Sequence, residues 1–204
     1  MQTRKNMKRN ILLYLVLGFG VCLISCDNDV PGKENEEEII DKVTLTFTPT
    51  GGSPVVVTAT DPDGEGIADM SPDGDIYLLP NTAYTLTIGV ENTVEQEDIT
   101  LEIEEEGDEH IFFFSFTNGI FSNPVGDGNI DARADAINYD DQDINDQPIG
   151  IITTWTTGAE NTSDNTFRVV LKHQPGTKSA TSTASDGSTD IDQTWTIKIT
   201  NGPL

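Results

Sequence analysis

Two histidines and the carboxylates near one of them are the side chains of this sequence best suited to chemistry. His110 ends a run of acidic residues, and His173 stands in the segment LKHQ at 171–174. Imidazole nitrogens and carboxylate oxygens are common ligands of zinc and other transition metals. The pattern predicts a transition-metal site, for example for zinc, with the candidate ligands Glu106, Asp108, Glu109, His110 and His173. The alternative is a solvated acidic surface beside two unrelated histidines.

The acidic run is unfavourable if it is helical. Glu102 and Glu106, and likewise Glu105 and Glu109, lie four residues apart, and such like-charged pairs destabilise a helix by about 0.2–0.5 kcal/mol each. The acids would also gather at the helix C-terminus, where the helix dipole disfavours anions. A bound cation or a basic partner would reverse this penalty, which favours a binding role for the run.

A second candidate site lies in the sequence DQDIND at 141–146. Asp141, Asp143 and Asn145 alternate as in the opening of a calcium loop, in which alternate oxygens face one ion. The sixth and twelfth positions of this loop hold Asp and Ile, where an EF-hand requires Gly and Glu, so an EF-hand is excluded. A weaker extracellular calcium turn and an ordinary tight turn both remain open.

Signatures of catalysis are missing from the sequence. It contains no Gly-x-Ser-x-Gly turn, no phosphate-binding Gly-rich loop and no His-Glu-x-x-His pair. Because the chain has 35 acidic residues, no two carboxylates stand out as an acid and base couple. We therefore expect a binding or interaction protein and not an enzyme.

The first 25 residues have the order of a secretory signal. A basic cluster precedes an apolar stretch over 11–24, which is shorter than the roughly 20 residues that a membrane-spanning helix needs. The sequence LISC at 23–26 resembles the lipobox of bacterial lipoproteins. That resemblance implies cleavage before Cys26 and acylation of Cys26, for example with palmitate, so that a lipid anchor holds the mature protein at a membrane. With Cys22 removed and Cys26 acylated, the mature protein has no thiol for catalysis or metal binding.

The mature chain would be strongly anionic. The signal carries four of the 11 basic residues and none of the acidic ones, which leaves seven basic against 35 acidic residues and a net charge of −28. Such a charge repels nucleic acid and attracts cations and basic protein surfaces. Residues 26–42 comprise the lipidated cysteine and a polar, acidic sequence that predicts a flexible, disordered tether.

Beyond the tether, the chain predicts a single β domain over 43–204. Val43, Leu45 and Phe47 alternate with threonines, the aromatic run at 112–116 is typical of a strand covered on both faces, and further short strands follow. These features predict a mainly β, antiparallel sandwich of the immunoglobulin or fibronectin-III-like type. Residues 93–109 are compatible with one short helix or with a strand, and length and Glu-rich composition favour the helix.

One local pattern supports the sandwich. The sequence LLPNTAY at 78–84 resembles the tyrosine corner of fibronectin type III and related sandwiches. In that family the tyrosine hydroxyl bonds to the backbone just upstream, which implies a structural role for Tyr84.

As a whole the chain resembles small acidic surface lipoproteins of the Bacteroidetes type that accompany TonB-dependent outer-membrane transporters. The resemblance covers the signal, the tether and the general composition of the body, including the Glu-rich stretch before His110 and the sequence KHQP at 172–175. It implies an outer-membrane, outward-facing, non-enzymatic binding protein that assists solute or metal uptake with such a transporter. Alternatives are a location on the periplasmic face of a membrane, a calcium-stabilised adhesion module and a protein of the periplasmic solute-binding type.

Overall fold

A computed structural model describes residues 39–63 and 69–202 of the chain. The predicted signal, Cys26 and most of the predicted tether lie outside the described residues. Eleven strands and one helix are described, in the following order: β1 (Lys42–Pro49), β2 (Val55–Thr60), β3 (Ser71–Pro72), β4 (Ile76–Leu78), β5 (Ala83–Asn92), β6 (Glu97–Asp98), α1 (Ile99–Glu105), β7 (His110–Phe116), β8 (Phe121–Asn123), β9 (Ile152–Thr157), β10 (Asn161–His173) and β11 (Ser188–Ile199).

The strands form two sheets, as the alternating sequence predicted. The first has the order β3-β2-β1-β5-β9-β8, with β6 attached to β5, and the second has the order β4-β11-β10-β7. Neighbouring strands are antiparallel except for β4 and β11, which are parallel. The prediction of a mainly β, antiparallel sandwich with one short helix is confirmed.

The core lies between the inward faces of the two sheets. In β1 the aliphatic and aromatic positions Val43, Leu45 and Phe47 are fully buried, and the intervening threonines point away because side chains alternate along a strand. Trp155 of β9 is fully buried and its ring packs edge-on against Phe116 and Phe167 from the other sheet, with centroid distances of 5.4 and 5.3 Å. Aromatic edge-to-face contacts therefore join the two sheets.

Strand β7 is covered on both faces, as its continuous apolar run predicted. Phe112, Phe114 and Phe116 face the main core, whereas Ile111 and Phe113 form a separate buried cluster with other residues on the outer face. The outer edge of β7 is also paired: the Phe112 and Phe116 amides donate to backbone carbonyls of residues 149 and 127, and the Phe114 amide donates to the side chain of Asn129. Irregular chain segments thus protect an edge strand from pairing with other molecules.

Tyr84 makes the bond that the corner resemblance implies. Its ring is 2% exposed, and its hydroxyl accepts a hydrogen bond of 2.9 Å from the amide of Leu79, five residues upstream. This contact holds the segment that leads from β4 in one sheet to β5 in the other.

The helix in 93–109 is shorter than the whole segment. Residues 93–96 form a turn, Gln96 has a positive φ of 61°, and α1 starts only after Asp98, whose carboxylate accepts from the Thr100 amide as an N-cap. Ile99 and Ile103, four residues apart, are both buried, so one side of the helix faces the core.

The start of the folded domain lies within the range assigned to the tether. Lys42 is the first residue of β1, and Asp41 is 4% exposed. The Asp41 carboxylate accepts from the Thr93 amide at 2.8 Å, from the Thr93 hydroxyl at 2.8 Å and from the Val94 amide at 3.2 Å. This carboxylate therefore fastens the chain before β1 to the turn after β5.

Among the residues that the structure describes, no helix is both long and apolar enough to span a membrane.

Candidate metal site

The register of β7 and β10 brings the two histidines together. The inward-facing pairs Phe116–Phe167, Phe114–Val169 and Phe112–Leu171 are followed by His110–His173, which is the last pair of the ladder. His110 is therefore fully buried and His173 is 9% exposed at the end of the core. Their rings stack with centroids 4.4 Å apart and planes within 9° of parallel.

Each imidazole is oriented by an acceptor from the segment between α1 and β7. His110 Nδ1 lies 3.2 Å from the backbone oxygen of Glu106, and His173 Nε2 lies 3.1 Å from a carboxylate oxygen of Glu109. Because both oxygens can only accept, the nitrogens facing them carry the protons. In the neutral imidazoles this places the lone pair of His110 on Nε2 and that of His173 on Nδ1. Metal-binding histidines are commonly held in this way by a carbonyl or carboxylate.

Glu106 completes a group of three side chains that could share one metal ion. It is the C-cap of α1, and its backbone oxygen accepts from the amides of Glu109 and His110, which turns the chain back into β7. One carboxylate oxygen of Glu106 and one nitrogen each of His110 and His173 lie within 4.8 Å of one another. Within the described ranges this is the one group of three or more His, Cys, Asp or Glu side chains close enough to share a metal ion.

The electrostatic environment favours neutral His110. Burial, with a smaller contribution from the neighbouring His173, lowers the pKa of His110 below its usual value of 6.5. A neutral imidazole is the form that binds a metal ion, since protons and metal compete for the same lone pair. At neutral pH His110 therefore has the uncharged form that metal binding would require.

The stacked rings limit how the ion can bind. Tetrahedral zinc with ligands at about 2.0–2.1 Å requires ligand atoms about 3.3 Å apart, whereas the separations in this group extend up to the 4.8 Å bound. The lone pair of an imidazole lies in the plane of its ring, and two nearly parallel rings cannot direct their lone pairs to one point. Binding therefore requires one imidazole to rotate out of the stack.

The predicted ligands divide into three classes. Glu106, His110 and His173 come together, and Glu109 contacts the group through His173. Asp108 is exposed and lies outside the group. The composition of the site was accessible from the sequence, but the pairing of residues 63 positions apart depends on the register of β7 and β10.

The predicted calcium ligands have protein partners. The Asp141 carboxylate accepts from the amides of Gly150 and Ile152, at 2.8 and 3.0 Å. One oxygen of the Asp143 carboxylate accepts from the backbone amide of Asn145 at 2.7 Å. The second oxygen lies 2.8 Å from Lys178 Nζ. A calcium ion at Asp141, Asp143 and Asn145 stays a prediction, and it would have to displace this ammonium group.

Lys178 lies near the site but is not among the residues that the sequence predicted. It follows His173 in the β10–β11 connection, and its ammonium also donates to the Gly107 carbonyl at 2.5 Å. Its sequence context of Gly, Thr, Lys and Ser is that of an ordinary exposed loop, so no sequence signal distinguished it.

A separate cavity of about 490 Å³ lies near the end of β11, away from the histidines. Its walls are mainly apolar and include Pro49, Val55, Tyr77, Leu79 and Tyr84.

No protein-family model, no curated protein and no solved structure matches the chain.

Proposed function

We propose that this domain is a non-enzymatic binding module that takes a transition-metal ion of the zinc type at Glu106, His110 and His173. The observation that carries the proposal is the convergence of one carboxylate and two buried imidazoles within 4.8 Å. Two nitrogen ligands and one carboxylate ligand suit zinc. Three protein ligands leave a fourth coordination position for water or for another ligand.

The surroundings of the group support a cation as its ligand. Glu109 orients His173 from behind, and a carboxylate in that position increases the basicity of a metal-binding imidazole. The net charge of −28 expected for the mature chain raises the local concentration of cations near the domain.

The proposed setting of the module is the outer membrane. A lipid on Cys26 would hold the acidic domain at the membrane, facing outward, where it would collect metal ions for uptake by a TonB-dependent transporter. The signal at 1–25 and the sequence LISC at 23–26 support this part of the proposal. Its test is metabolic labelling with a palmitate analogue: we expect Cys26→Ala to abolish labelling and to release the protein from membranes, and equal labelling of both proteins would contradict the anchor.

The metal proposal is tested by calorimetric titration and thermal melting with zinc, copper, calcium and a chelator. A ligand at 100 times its Kd stabilises the native state by about 2.7 kcal/mol, which corresponds to a rise in Tm of roughly 5–10 °C for a domain of this size. We expect zinc or copper to produce such a rise, the chelator to reverse it, and Glu106→Gln to remove most of it.

Asp108→Asn is the matched control, because it neutralises an exposed carboxylate two residues from Glu106. This variant should bind zinc like the wild type. The proposal fails if neither zinc nor copper binds the wild-type protein, or if both substitutions weaken binding equally, since the second result would indicate a diffuse acidic surface.

A further inference from the structure

Lys178 and Asp143 form a buried ion pair beside the metal group. Their side chains are 1% and 2% exposed, and Lys178 Nζ lies 2.8 Å from Asp143 Oδ2. Burial lowers the pKa of Lys178, and the adjacent Asp143 carboxylate opposes that effect. Burial alone would raise the pKa of Asp143, but Lys178 and the amides of Gln147 and Asn145 together lower it below its ordinary value. The carboxylate therefore stays charged opposite the ammonium group.

The Lys178–Asp143 pair connects three chain segments: residues 106–110, residues 173–178 and residues 143–147. Lys178 Nζ donates to the carbonyl of Gly107, the residue directly after Glu106. The Lys178 amide donates to the Gln174 carbonyl, and the Gln174 amide donates to the Glu109 carbonyl at 2.6 Å. In the third segment, residues 143–147, the Asp143 carboxylate accepts hydrogen bonds from the backbone amides of Asn145 and Gln147.

Close packing makes the position of Gly107 sensitive to this third segment. A Cβ atom on Gly107 would lie 2.7 Å from the end of the Ile149 side chain, a distance at which atoms overlap. The backbone at Gly107 is thus held between Ile149 on one side and the Lys178 ammonium on another. A displacement there would move Glu106, which directly precedes Gly107, and Glu109, which lies two residues after it.

Stability alone does not explain a buried ion pair. Desolvation of two charges commonly cancels their attraction, and well-packed apolar side chains at such positions are often as stable or more so. What the pair provides is a directed contact: the ammonium binds a carbonyl and a carboxylate at once, which an apolar side chain cannot do.

We propose that Lys178, held by Asp143, is a positioning residue of the metal site. It fixes the Gly107 carbonyl and thereby sets the Glu106 ligand and the Glu109 acceptor against the two histidines. This inference rests on the proposed metal-binding function, but the positioning of the imidazoles exists without a metal ion.

The test uses the mature protein purified from membranes, with the double variant Lys178→Met/Asp143→Asn. Removing both charges together avoids leaving one buried charge without its partner, and Asn retains an oxygen for the amides of Asn145 and Gln147. The matched control is Arg168→Met/Asp192→Asn, which removes an ion pair of 2.6 Å between β10 and β11 whose side chains are 40% and 45% exposed. Far-ultraviolet circular dichroism and thermal melting are used to check that each variant is folded.

Two measurements are made on each protein: the zinc affinity by calorimetry, and the imidazole tautomers by long-range ¹H–¹⁵N NMR without metal. Loss of groups that orient metal ligands typically weakens metal affinity about 10–100-fold. We expect the double variant to bind zinc at least about tenfold more weakly and to lose the fixed Nε2–H tautomer of His173. The control should change neither result.

The outcomes separate the two proposals. Unchanged affinity and unchanged tautomers in the folded double variant would overturn the positioning role while leaving the metal site intact. If the wild-type protein binds no zinc, the proposed function fails, and the tautomer of His173 in the metal-free double variant still decides whether Lys178 positions the group. Should the double variant not fold, Lys178→Gln/Asp143→Asn, which removes both charges and shortens the side chain at 178, is measured instead: a shifted tautomer and weaker binding support the role, and wild-type values overturn it.

Discussion

Replacement of Asp41 by alanine should destabilise the folded domain although Asp41 precedes the first strand. Its carboxylate is 4% exposed and accepts from two amides and one hydroxyl of Thr93 and Val94. These bonds join the start of β1 to the turn between β5 and β6. We therefore expect the domain to need residues that the sequence composition assigned to a tether.

The size of the effect follows from the number of bonds and from solvent access. Hydrogen bonds to a charged group contribute about 1.5–3 kcal/mol each, which would suggest a large loss for three of them. Thr93 and Val94 are exposed, however, so water can replace the carboxylate as acceptor once the side chain is gone. We therefore expect Asp41→Ala to lower the free energy of unfolding by about 2–3 kcal/mol, and Asp41→Asn, which keeps one acceptor oxygen, by about half as much.

The assay is urea denaturation followed by tryptophan fluorescence, since Trp155 and Trp195 are both fully buried. The control removes the neighbouring ion pair of Lys42 and Glu91, whose atoms are 2.6 Å apart but whose side chains are 32% and 43% exposed. Exposed ion pairs contribute about 0–1 kcal/mol, so Lys42→Met/Glu91→Gln should be almost silent. A loss below about 0.5 kcal/mol for Asp41→Ala, the range of ordinary surface substitutions, would refute the anchoring role.

Three further predictions concern the core and its titratable groups. Trp155→Ala should cost about 3–5 kcal/mol in urea denaturation, because the ring is fully buried between the two sheets; a loss under about 1 kcal/mol would contradict that packing. Burial raises the pKa of Tyr139 to about 12, and its hydroxyl donates to the Phe112 carbonyl. The native state thus favours the protonated phenol, so stability should fall as the pH rises from 10 towards 12, and Tyr139→Phe should remove that part of the fall in pH-dependent denaturation. Because the pKa of His110 is lowered, the unfolded state binds more protons, so stability should decrease below about pH 6.5. His110→Phe should flatten this decrease between pH 7.5 and 5.5, and an unchanged slope would count against the buried imidazole.

Several features of the fold could be predicted from the sequence because they depend on the local periodicity of apolar residues. The alternation of Val43, Leu45 and Phe47 with threonines identifies a strand with one buried face, and it does so wherever that strand lies in the sheet. The structural role of Tyr84 could also be predicted, since Leu79, whose amide donates to the Tyr84 hydroxyl, is only five residues away.

Features that depend on a distant partner could not be predicted from local sequence. Residues 93–109 contain only the seven-residue helix α1, because the preceding turn is held by Asp41 and by a second strand pairing, of β6 with β5. Asp143 belongs to a calcium-like sequence pattern, but a lysine 35 positions later lies against its carboxylate. A short sequence motif around Asp143 therefore does not include Lys178.

The amino-acid sequence was sufficient to predict the class of fold and the types of metal ligand that the domain could offer. These follow from composition and from side-chain periodicity, which act locally. The folded arrangement was needed to see that His110 faces His173, that Glu106 joins them and that Asp108 does not. The physical reason is that strand register sets which residues meet across a sheet, and the register of β7 and β10 depends on the packing of the whole core.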